Sequence, residues 1–401
     1  MRTAELSPED ACVSLLARGT LPSALEARAR ALLGRPLAWP TVLRQARRHG
    51  VGPLLGRNLA RLGWPGVPGD ARAQLERGDR LNAARNALLV RELTELLGGC
   101  RDREVPVIPL KGPALAERLY GDPALRECWD LDLLVPPRAT AAVRDLLAAR
   151  GYAPAAESPL GAAAVAPLLE STCECAFVRR RQEFRYVIDV HWHVAWRWHA
   201  EAAMLADLWA EAGPASFAGV EVWGLSPEWE LLFLMVHAAR HRWQPLKWLV
   251  DVHEICVRGG VDWERLHTKA TRFGLERVLA LTLGACSALL GTEIPEGLPR
   301  QAPPPWLPLF PARPHEPNSW ANSLFTVRLF PRSGQKLGYL ARLAFLPTVQ
   351  DRAALRLPAT LEGLYYGVRP VRLAAKLGRE LGRWSAATLR GAGRRVAAVL
   401  P

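Results

Sequence analysis

Two aspartates within a short apolar segment constrain this chain more than any other feature of its sequence. Acidic and apolar residues alternate over 129–135, which predicts a β-strand with Asp130 and Asp132 on one face. Pro136 and Pro137 end that strand. Two like charges about 6–7 Å apart on a buried strand cost free energy unless a cation neutralises them. The pattern therefore predicts either a solvent-exposed strand face or a metal site.

A third acidic residue lies in a second apolar segment. Asp189 is the lone acid in Tyr-Val-Ile-Asp-Val at 186–190, which predicts another strand. Enzymes of phosphoryl and nucleotidyl transfer commonly hold two Mg²⁺ ions about 4 Å apart on such carboxylates. If Asp189 completes the cage, its carboxylate should lie within about 5 Å of those of Asp130 and Asp132.

A turn between a strand and a helix precedes the acidic pair. The apolar run 105–110 ends at Lys111 and Gly112, and a helical pattern follows. Such a turn offers backbone N–H groups, a helix N-terminus and the Lys111 ammonium to phosphates. An Asp-x-Asp pattern alone is more often a solvent-exposed strand face. The turn, and the apolar residues around the pair, Trp129 among them, favour a buried strand and the metal site.

The period of the hydrophobic pattern divides the chain into helical and mixed regions. Helical spacing dominates the first part, where the clearest helix covers 81–97 and is expected to stop at Gly98-Gly99. Helical spacing returns from 226 onward and includes one long run over 262–291. Between these regions, strand patterns alternate with helices, at 105–110, 129–135, 173–178 and 184–194, the last two as a hairpin.

These patterns predict an α+β fold, with a small mixed sheet and its helices between N-terminal and C-terminal helical regions. The expected order is an N-terminal helical region, a core, a helical lobe, a Pro-rich linker and a basic helical region, covering 1–104, 105–225, 226–292, 293–319 and 320–401.

Composition narrows the class of protein further. The 401 residues are 49% hydrophobic and 23% charged, which excludes a disordered tail protein and supports a large core. Seven scattered cysteines argue against a disulfide framework and for a reducing compartment. No uncharged stretch reaches the roughly 20 residues of a membrane-spanning helix, and the N-terminus lacks the apolar run of a signal peptide. We therefore expect a cytoplasmic protein.

Several segments resemble a known bacterial protein family. They are Leu-Lys-Gly-Pro-Ala-Leu at 110–115, Leu-Tyr-Gly-Asp-Pro-Ala-Leu-Arg at 119–126, Asp-Leu-Asp-Leu-Leu-Val at 130–135 and Ile-Asp-Val-His-Trp at 188–192. In these segments the chain resembles the uncharacterised bacterial nucleotidyltransferase family of the polymerase-β-like superfamily. The resemblance continues at 234–243, 246–251, 346–351 and 364–373, so it covers most of the chain. It implies a polymerase-β-like nucleotidyltransferase core at 105–225.

The resemblance implies Mg²⁺-dependent transfer of a nucleoside monophosphate from an NTP to a hydroxyl or phosphate acceptor, with release of pyrophosphate. Asp130, Asp132 and Asp189 would be the catalytic residues and would bind two Mg²⁺ ions, for which Mn²⁺ can substitute. Lys111 would contact the triphosphate, and Gly112 would let it approach the backbone. The acceptor would be a small molecule, a glycan or a peptide, and the sequence specifies neither it nor the NTP.

Further polar residues are candidates for the walls of the site. Arg126 precedes the acidic pair and is expected to reach a phosphate of the NTP. His191 follows Asp189 by two residues on the same strand face, which places it next to the metal ligands. His237 and His241 share one helical face, and we favour a wall of the acceptor pocket over a zinc site for this pair.

The helical lobe supplies two more candidates for the acceptor side. Lys247 and Asp251 are four residues apart, a spacing typical of a routine helical ion pair. Because the chain has only five lysines, Lys247 gains weight as a functional residue. One of His237, His241 or Asp251 would be the acceptor-side base, and the sequence does not choose among them.

The chain departs from the family's pattern at two places. Pro109 lacks the N–H that a central strand needs, so the strand before Lys111 is expected to be short or to lie at an edge of the sheet. Cys128 and Trp129 stand where smaller or polar residues are expected before Asp130. Neither departure removes a required ligand.

Positive charge is concentrated near the C-terminus. From Arg369 onward, eight basic residues and one acidic residue supply +7 of the formal charge of +13. A basic amphipathic helix can bind an anionic membrane or nucleic acid. We favour a peripheral helix with a solvent-exposed arginine face, because several glycines weaken it, and keep membrane or nucleic-acid contact as the alternative. The arginine face consists of Arg372, Lys376, Arg379, Arg383, Arg390 and Arg394.

Two other functions are compatible with the same pattern. A non-catalytic nucleotide- or RNA-binding protein would meet phosphates with its arginines, but has no reason to keep three costly carboxylates together. Its stacking residues would be Trp192, Trp196 and Trp198, near Arg197. A toxin-like nucleotidyltransferase acting on tRNA or protein would share the catalytic residues and differ only in its acceptor.

Overall fold

The computed structural model describes residues 6–155, 173–195, 201–302, 320–355, 357–375 and 378–379. This part of the chain is α+β, as predicted from the sequence. Its helices are α1 (Pro8–Leu16), α2 (Ser23–Leu33), α3 (Trp39–His49), α4 (Gly52–Leu62), α5 (Gly69–Arg101), α6 (Gly112–Tyr120), α7 (Thr140–Ala149), α8 (Glu201–Glu211), α9 (Pro227–Arg240), α10 (Lys247–Arg258), α11 (Trp263–Arg272), α12 (Glu276–Leu290), α13 (Trp320–Leu329), α14 (Ser333–Phe345) and α15 (Val349–Ala354).

A small mixed sheet lies among these helices. Its strands are β1 (Ile108–Pro109), β2 (Leu131–Leu134), β3 (Ala153–Pro154), β4 (Glu174–Arg181) and β5 (Phe184–His191). Their order is β1-β2-β5-β4-β3, with β2 and β5 parallel and the other neighbours antiparallel. The parallel register sets Asp132 beside Asp189, so both side chains leave the same face of the sheet.

Apolar residues in β2 and β5 decide which face of the sheet is buried against helices. Leu131, Leu133, Ile188 and Val190 belong to one core cluster with the leucines of α5 and α7. Because side chains alternate along a strand, the acids between these residues must face the other way. That opposite face is where side chains of α9 and α10 meet the acids.

The main strand predictions are confirmed. Pro109 lies in the two-residue edge strand β1, where it pairs with Leu133 of β2. The hairpin expected from 173–178 and 184–194 is β4 and β5, joined at Gln182 and Glu183. A second hairpin, β6 (Gly213–Phe217) and β7 (Val220–Gly224), was not expected from the sequence.

The predicted end of the long helix is wrong. Helix α5 passes through Gly98 and Gly99 and ends at Arg101. A Cβ on Gly99 would lie 3.0 Å from the Leu146 side chain of α7. This glycine therefore lets two helices pack closely instead of ending one of them.

One further local prediction is wrong. Trp129 is 60% exposed, because the strand begins only at Leu131, and its ring lies 3.7 Å from the Arg85 guanidinium. The helical spacing predicted over 262–291 is confirmed as two helices, α11 and α12, which Gly274 separates with a φ of 69°. The Gln335 side chain occupies the space that a Cβ at Gly274 would need.

Several predictions fall outside the described residues. These are most of the Pro-rich linker, the Trp196 to Trp198 segment, Lys376 and the C-terminal arginines from Arg383 onward. The division of the chain into regions also stays a prediction. In the described ranges, no helix combines the length and apolar character needed to cross a membrane.

A buried ion pair connects the loop before β2 to the helical lobe. Arg126 donates from Nε and Nη2 to the carboxylate of Asp251 on α10, with Nη2 2.8 Å from Oδ2. Burial opposes the charge of Arg126, but Asp251 holds its pKa well above the usual value. Lys247 donates instead to the carbonyl of Glu127. Contacts with residues distant in sequence therefore replace the helical Lys247–Asp251 ion pair that the spacing predicts.

Asp251→Ala should lower the free energy of unfolding by about 3–5 kcal/mol, because it leaves the Arg126 charge buried without a partner. The matched control is Glu76→Ala, which breaks the exposed pair Arg72–Glu76 of α5 and should cost less than about 1 kcal/mol. Urea unfolding of both variants measures the difference. Equal losses would contradict a structural role for the buried pair.

Candidate active site

Three aspartates converge on the polar face of the sheet. Each of Asp130, Asp132 and Asp189 offers one carboxylate oxygen, and these oxygens all lie within 4.8 Å of one another. This is the convergence that the sequence predicted. Asp132 is buried, whereas Asp130 and Asp189 are half-buried. Parallel pairing of β2 with β5 produces the cluster, since it sets Asp132 and Asp189 side by side.

Two cations compensate the most buried of the three acids. Lys111 Nζ lies 2.8 Å from Asp132 Oδ1, and His191 Nε2 lies 3.0 Å from the same oxygen. Burial would raise the pKa of Asp132, but Lys111 and His191 together hold it below its usual range. Asp132 is therefore a carboxylate at neutral pH. His191 lies next to a proposed metal ligand, as the sequence predicted.

The second oxygen of Asp132 is available to a cation. Asp132 Oδ2 is buried and accepts no hydrogen bond from the described residues. Burial, together with the charges of Asp132 and Asp130, raises the pKa of Asp189 to about 7. Carboxylate oxygens are the ligands that Mg²⁺ and Mn²⁺ prefer. An orphaned buried oxygen among repelling carboxylates is an environment that fits a divalent cation.

A fourth carboxylate, which the sequence analysis missed, holds His191 from its other side. Glu174 Oε2 lies 3.0 Å from His191 Nδ1, and Arg240 of α9 donates to both oxygens of Glu174. Burial would lower the pKa of His191, but Glu174 and Asp132 raise it to about 9. The register of the β4–β5 hairpin indicates this contact, because it pairs Glu174 directly with His191.

The Lys-Gly turn borders the same cluster. Gly112 begins α6 with a φ of 66°, a value that favours glycine. A Cβ there would lie 3.2 Å from the carbonyl oxygen of Asp130. The turn thus lies against the residue that begins the acidic pair, and its Lys111 contacts the carboxylate of Asp132.

Two histidines of the helical lobe, His237 and His241, lie across from Lys111. Lys111 Nζ is 3.3 Å from both ring nitrogens of His237. The rings of His237 and His241 have centroids 4.8 Å apart, and both contact the Trp248 ring. Burial, and then the charges of Lys111 and His241, hold the pKa of His237 well below its usual value. The His237 ring is therefore neutral at physiological pH.

These side chains enclose a cavity of about 180 Å³. It is partly open to solvent and mixes acids with cations. Of the residues predicted for the acceptor side, Asp251 does not line it in the described part of the chain, because its carboxylate is held by Arg126. The lining residues are Lys111, Arg126, Asp130, Asp132, Glu174, Asp189, His191, His237, Arg240, His241, Lys247 and Trp248.

Comparison with known proteins identifies a family. A family model described as an uncharacterised nucleotidyltransferase matches residues 35–291, which is 257 of the 401 residues. An antigenic nucleotidyltransferase-like protein from Paracoccidioides brasiliensis has a similar solved structure, at 14% identity and a TM-score of 0.29, over 53% of this chain and 93% of that one. No curated protein matches the chain.

The affinity of the site for Mn²⁺ should fall as the pH is lowered from about 8 to about 6. The folded, metal-free protein holds a proton on Asp189 below its pKa of about 7, and the ion must displace it. The expected loss approaches about tenfold per pH unit below that pKa. Calorimetric titration of metal-free protein measures both the affinity and the released proton.

Asp189→Asn is the control for this titration. It should bind Mn²⁺ weakly at every pH and release no proton on binding. A wild-type affinity that does not change over this pH range would remove Asp189 from the ligand set.

Proposed function

The chain belongs to the uncharacterised nucleotidyltransferase family, and we propose that it transfers a nucleoside monophosphate from an NTP to a hydroxyl or phosphate acceptor, with release of pyrophosphate. One observation carries this proposal. Three carboxylates lie within 4.8 Å of one another, and a buried oxygen of Asp132 has no hydrogen-bond partner in the described ranges. A protein that only bound nucleotides would gain nothing from this costly arrangement.

Asp130, Asp132 and Asp189 are proposed to hold Mg²⁺, or Mn²⁺ in its place. The bound ion would stabilise the negative charge that develops on the phosphate oxygens and would favour ionisation of the attacking hydroxyl. His191 keeps Asp132 oriented and charged through its hydrogen bond to Oδ1. Glu174 and Arg240 in turn fix the ring of His191.

The phosphate end of the NTP is proposed to lie between the Lys-Gly turn and the helical lobe. Lys111 and Lys247 line the cavity and supply positive charge there, and Arg126 also lines it while paired with Asp251. A volume of about 180 Å³ is smaller than the roughly 300–1,000 Å³ of a site that encloses a whole ligand. It suits the triphosphate, while the base and sugar extend through the open side.

The acceptor is proposed to approach along α9 and α10, past His241 and Trp248. The neutral His237 ring is a weak base because its pKa is depressed, so it suits a wall better than a proton acceptor. Small molecules, glycans and peptides remain the proposed acceptor classes, with tRNA or protein in the toxin-like alternative. The seven scattered cysteines of the sequence favour the expected cytoplasmic setting.

Asp132→Asn should abolish nucleotide transfer, with a loss above about a hundredfold. Groups that merely orient metal ligands already contribute about 10–100-fold. Labelled NTPs, incubated one at a time with the protein, Mg²⁺ and a cell extract, reveal transfer to any acceptor.

The matched control for this assay is Asp145→Asn, an exposed aspartate of α7 that should leave transfer unchanged. The double variant Asp130→Ala/Asp132→Ala should also be inactive. Transfer that persists in the double variant would contradict the proposal that Asp130 and Asp132 bind the metal ion.

Lys111→Met should change metal and nucleotide affinity in opposite directions. The ammonium competes with a divalent cation for Asp132 but attracts the triphosphate. The variant should therefore bind Mn²⁺ more tightly and NTP several-fold more weakly than the wild type, both measured by calorimetry. Lys111→Arg keeps the charge and should retain most of the NTP affinity. Weaker binding of both ligands in Lys111→Met would contradict the assigned role.

A further inference from the structure

Almost all the net charge of the protein lies in its last fifth. Residues 320–401 contain 14 basic and three acidic residues, which is +11 of the total of +13. Two of those acids already have basic partners. Asp351 is fully buried with Arg369 and Arg372, and Glu362 pairs with Arg352. The described part of this region holds eight basic residues against these two acids, so it carries an excess of positive charge.

The same region exposes large apolar side chains. Nine of the fourteen exposed large apolar residues in the described ranges belong to it, although it supplies under a fifth of those residues. A concentration of exposed apolar surface marks a site of interaction with a partner or a membrane. The nine are Leu324, Leu337, Leu340, Phe345, Leu355, Leu361, Leu364, Tyr366 and Val371.

Helix α14 turns its apolar stripe outward. Leu337, Leu340 and Phe345 are 70%, 41% and 56% exposed, and their spacing puts them on one side of the helix. The other side packs on the protein, where Gln335 is buried beside Gly274 and the Tyr339 ring meets Phe330. A surface helix normally has the reverse arrangement, with its apolar stripe on the core.

Basic residues border that stripe on both sides. At about 100° per residue, Lys336 lies on one flank of the Leu337–Leu340 line and Arg342 on the other. A second helical stretch, 365–375, is joined to α14 by a hydrogen bond from Arg369 Nε to the carbonyl of Leu343, 3.1 Å long. This stretch also exposes the large apolar side chains of Tyr366 and Val371.

We propose that α14 and the adjoining stretch 365–375 bind the surface of an anionic lipid bilayer. Leu337, Leu340 and Phe345 enter the boundary between headgroups and acyl chains, while Lys336 and Arg342 reach the lipid phosphates. An outward apolar stripe with basic flanks is the pattern of a helix that lies in a membrane interface. The proposal goes beyond the proposed transfer reaction and does not depend on it.

The aliphatic residues favour a bilayer over nucleic acid. A nucleic-acid surface is bound through phosphate contacts and base stacking on aromatic rings, neither of which uses exposed leucines. The charge favours a bilayer over a second copy of the chain, because two surfaces with a net charge of this sign repel each other. An anionic lipid surface complements both the charge and the apolar stripe.

Co-sedimentation of the full-length protein with vesicles tests the proposal. Vesicles of phosphatidylcholine with phosphatidylglycerol should bind it at least about tenfold more tightly than pure phosphatidylcholine, with binding that weakens as salt is added. The triple variant Leu337→Gln/Leu340→Gln/Phe345→Gln should lose at least about tenfold in affinity for the anionic vesicles. Lys336→Gln/Arg342→Gln should weaken binding and reduce its salt dependence.

A matched control removes three equally exposed apolar residues elsewhere. Leu81→Gln/Leu88→Gln/Val257→Gln alters α5 and α10 and should bind vesicles like the wild type. Circular dichroism and thermal melts verify that all variants are folded. Equal loss in the control, wild-type binding by the α14 variant, or equal affinity for neutral vesicles would each overturn the proposal.

Two further outcomes would assign the surface to another partner and overturn the membrane proposal. One is absence of vesicle binding together with a dimer that the α14 variant converts to a monomer in gel filtration. The other is absence of vesicle binding together with RNA or DNA binding that the α14 variant weakens.

Discussion

The repulsion among three clustered carboxylates is the constraint on which the rest of the structure depends. Their oxygens lie within 4.8 Å of one another on a sheet whose other face is fully packed. Like charges this close are tolerated only beside opposite charges. The described residues supply these in two layers: Lys111 and His191 contact Asp132, and Arg240 neutralises the Glu174 that holds His191.

These cations come from separate elements, so charge compensation also holds the molecule together. Lys111 precedes α6, His191 ends β5, and Arg240 ends α9. A further pair, Arg126 with Asp251, joins the loop before β2 to α10. Lys111 attaches the Lys-Gly turn to the acidic face of the sheet, and Arg240 attaches the helical lobe to it. The cavity exists because these polar groups meet without filling the space between them.

Much of the fold and of the candidate site could be read from local pattern. The alternation around Asp130 and Asp132 predicts that they share one face of a strand. The break in the hydrophobic pattern at Lys111-Gly112 predicts the Lys-Gly turn. Local pattern does not reveal Glu174 as part of the site, because its contact with His191 depends on the hairpin register. Local pattern also does not reveal the role of Gly99, because a glycine that ends a helix and one that admits a neighbouring helix look alike in one sequence.

By itself the sequence determined the strand faces, the acidic residues and the family, because periodicity and motif spacing are local properties that each segment carries alone. Only the tertiary structure decided which charges meet. Asp251 pairs with Arg126 instead of with its helical neighbour Lys247, and His237 approaches Lys111. Both contacts join residues more than a hundred positions apart. It also decided that α14 presents its apolar stripe to solvent, since a helical pattern specifies an apolar face but not what lies against it.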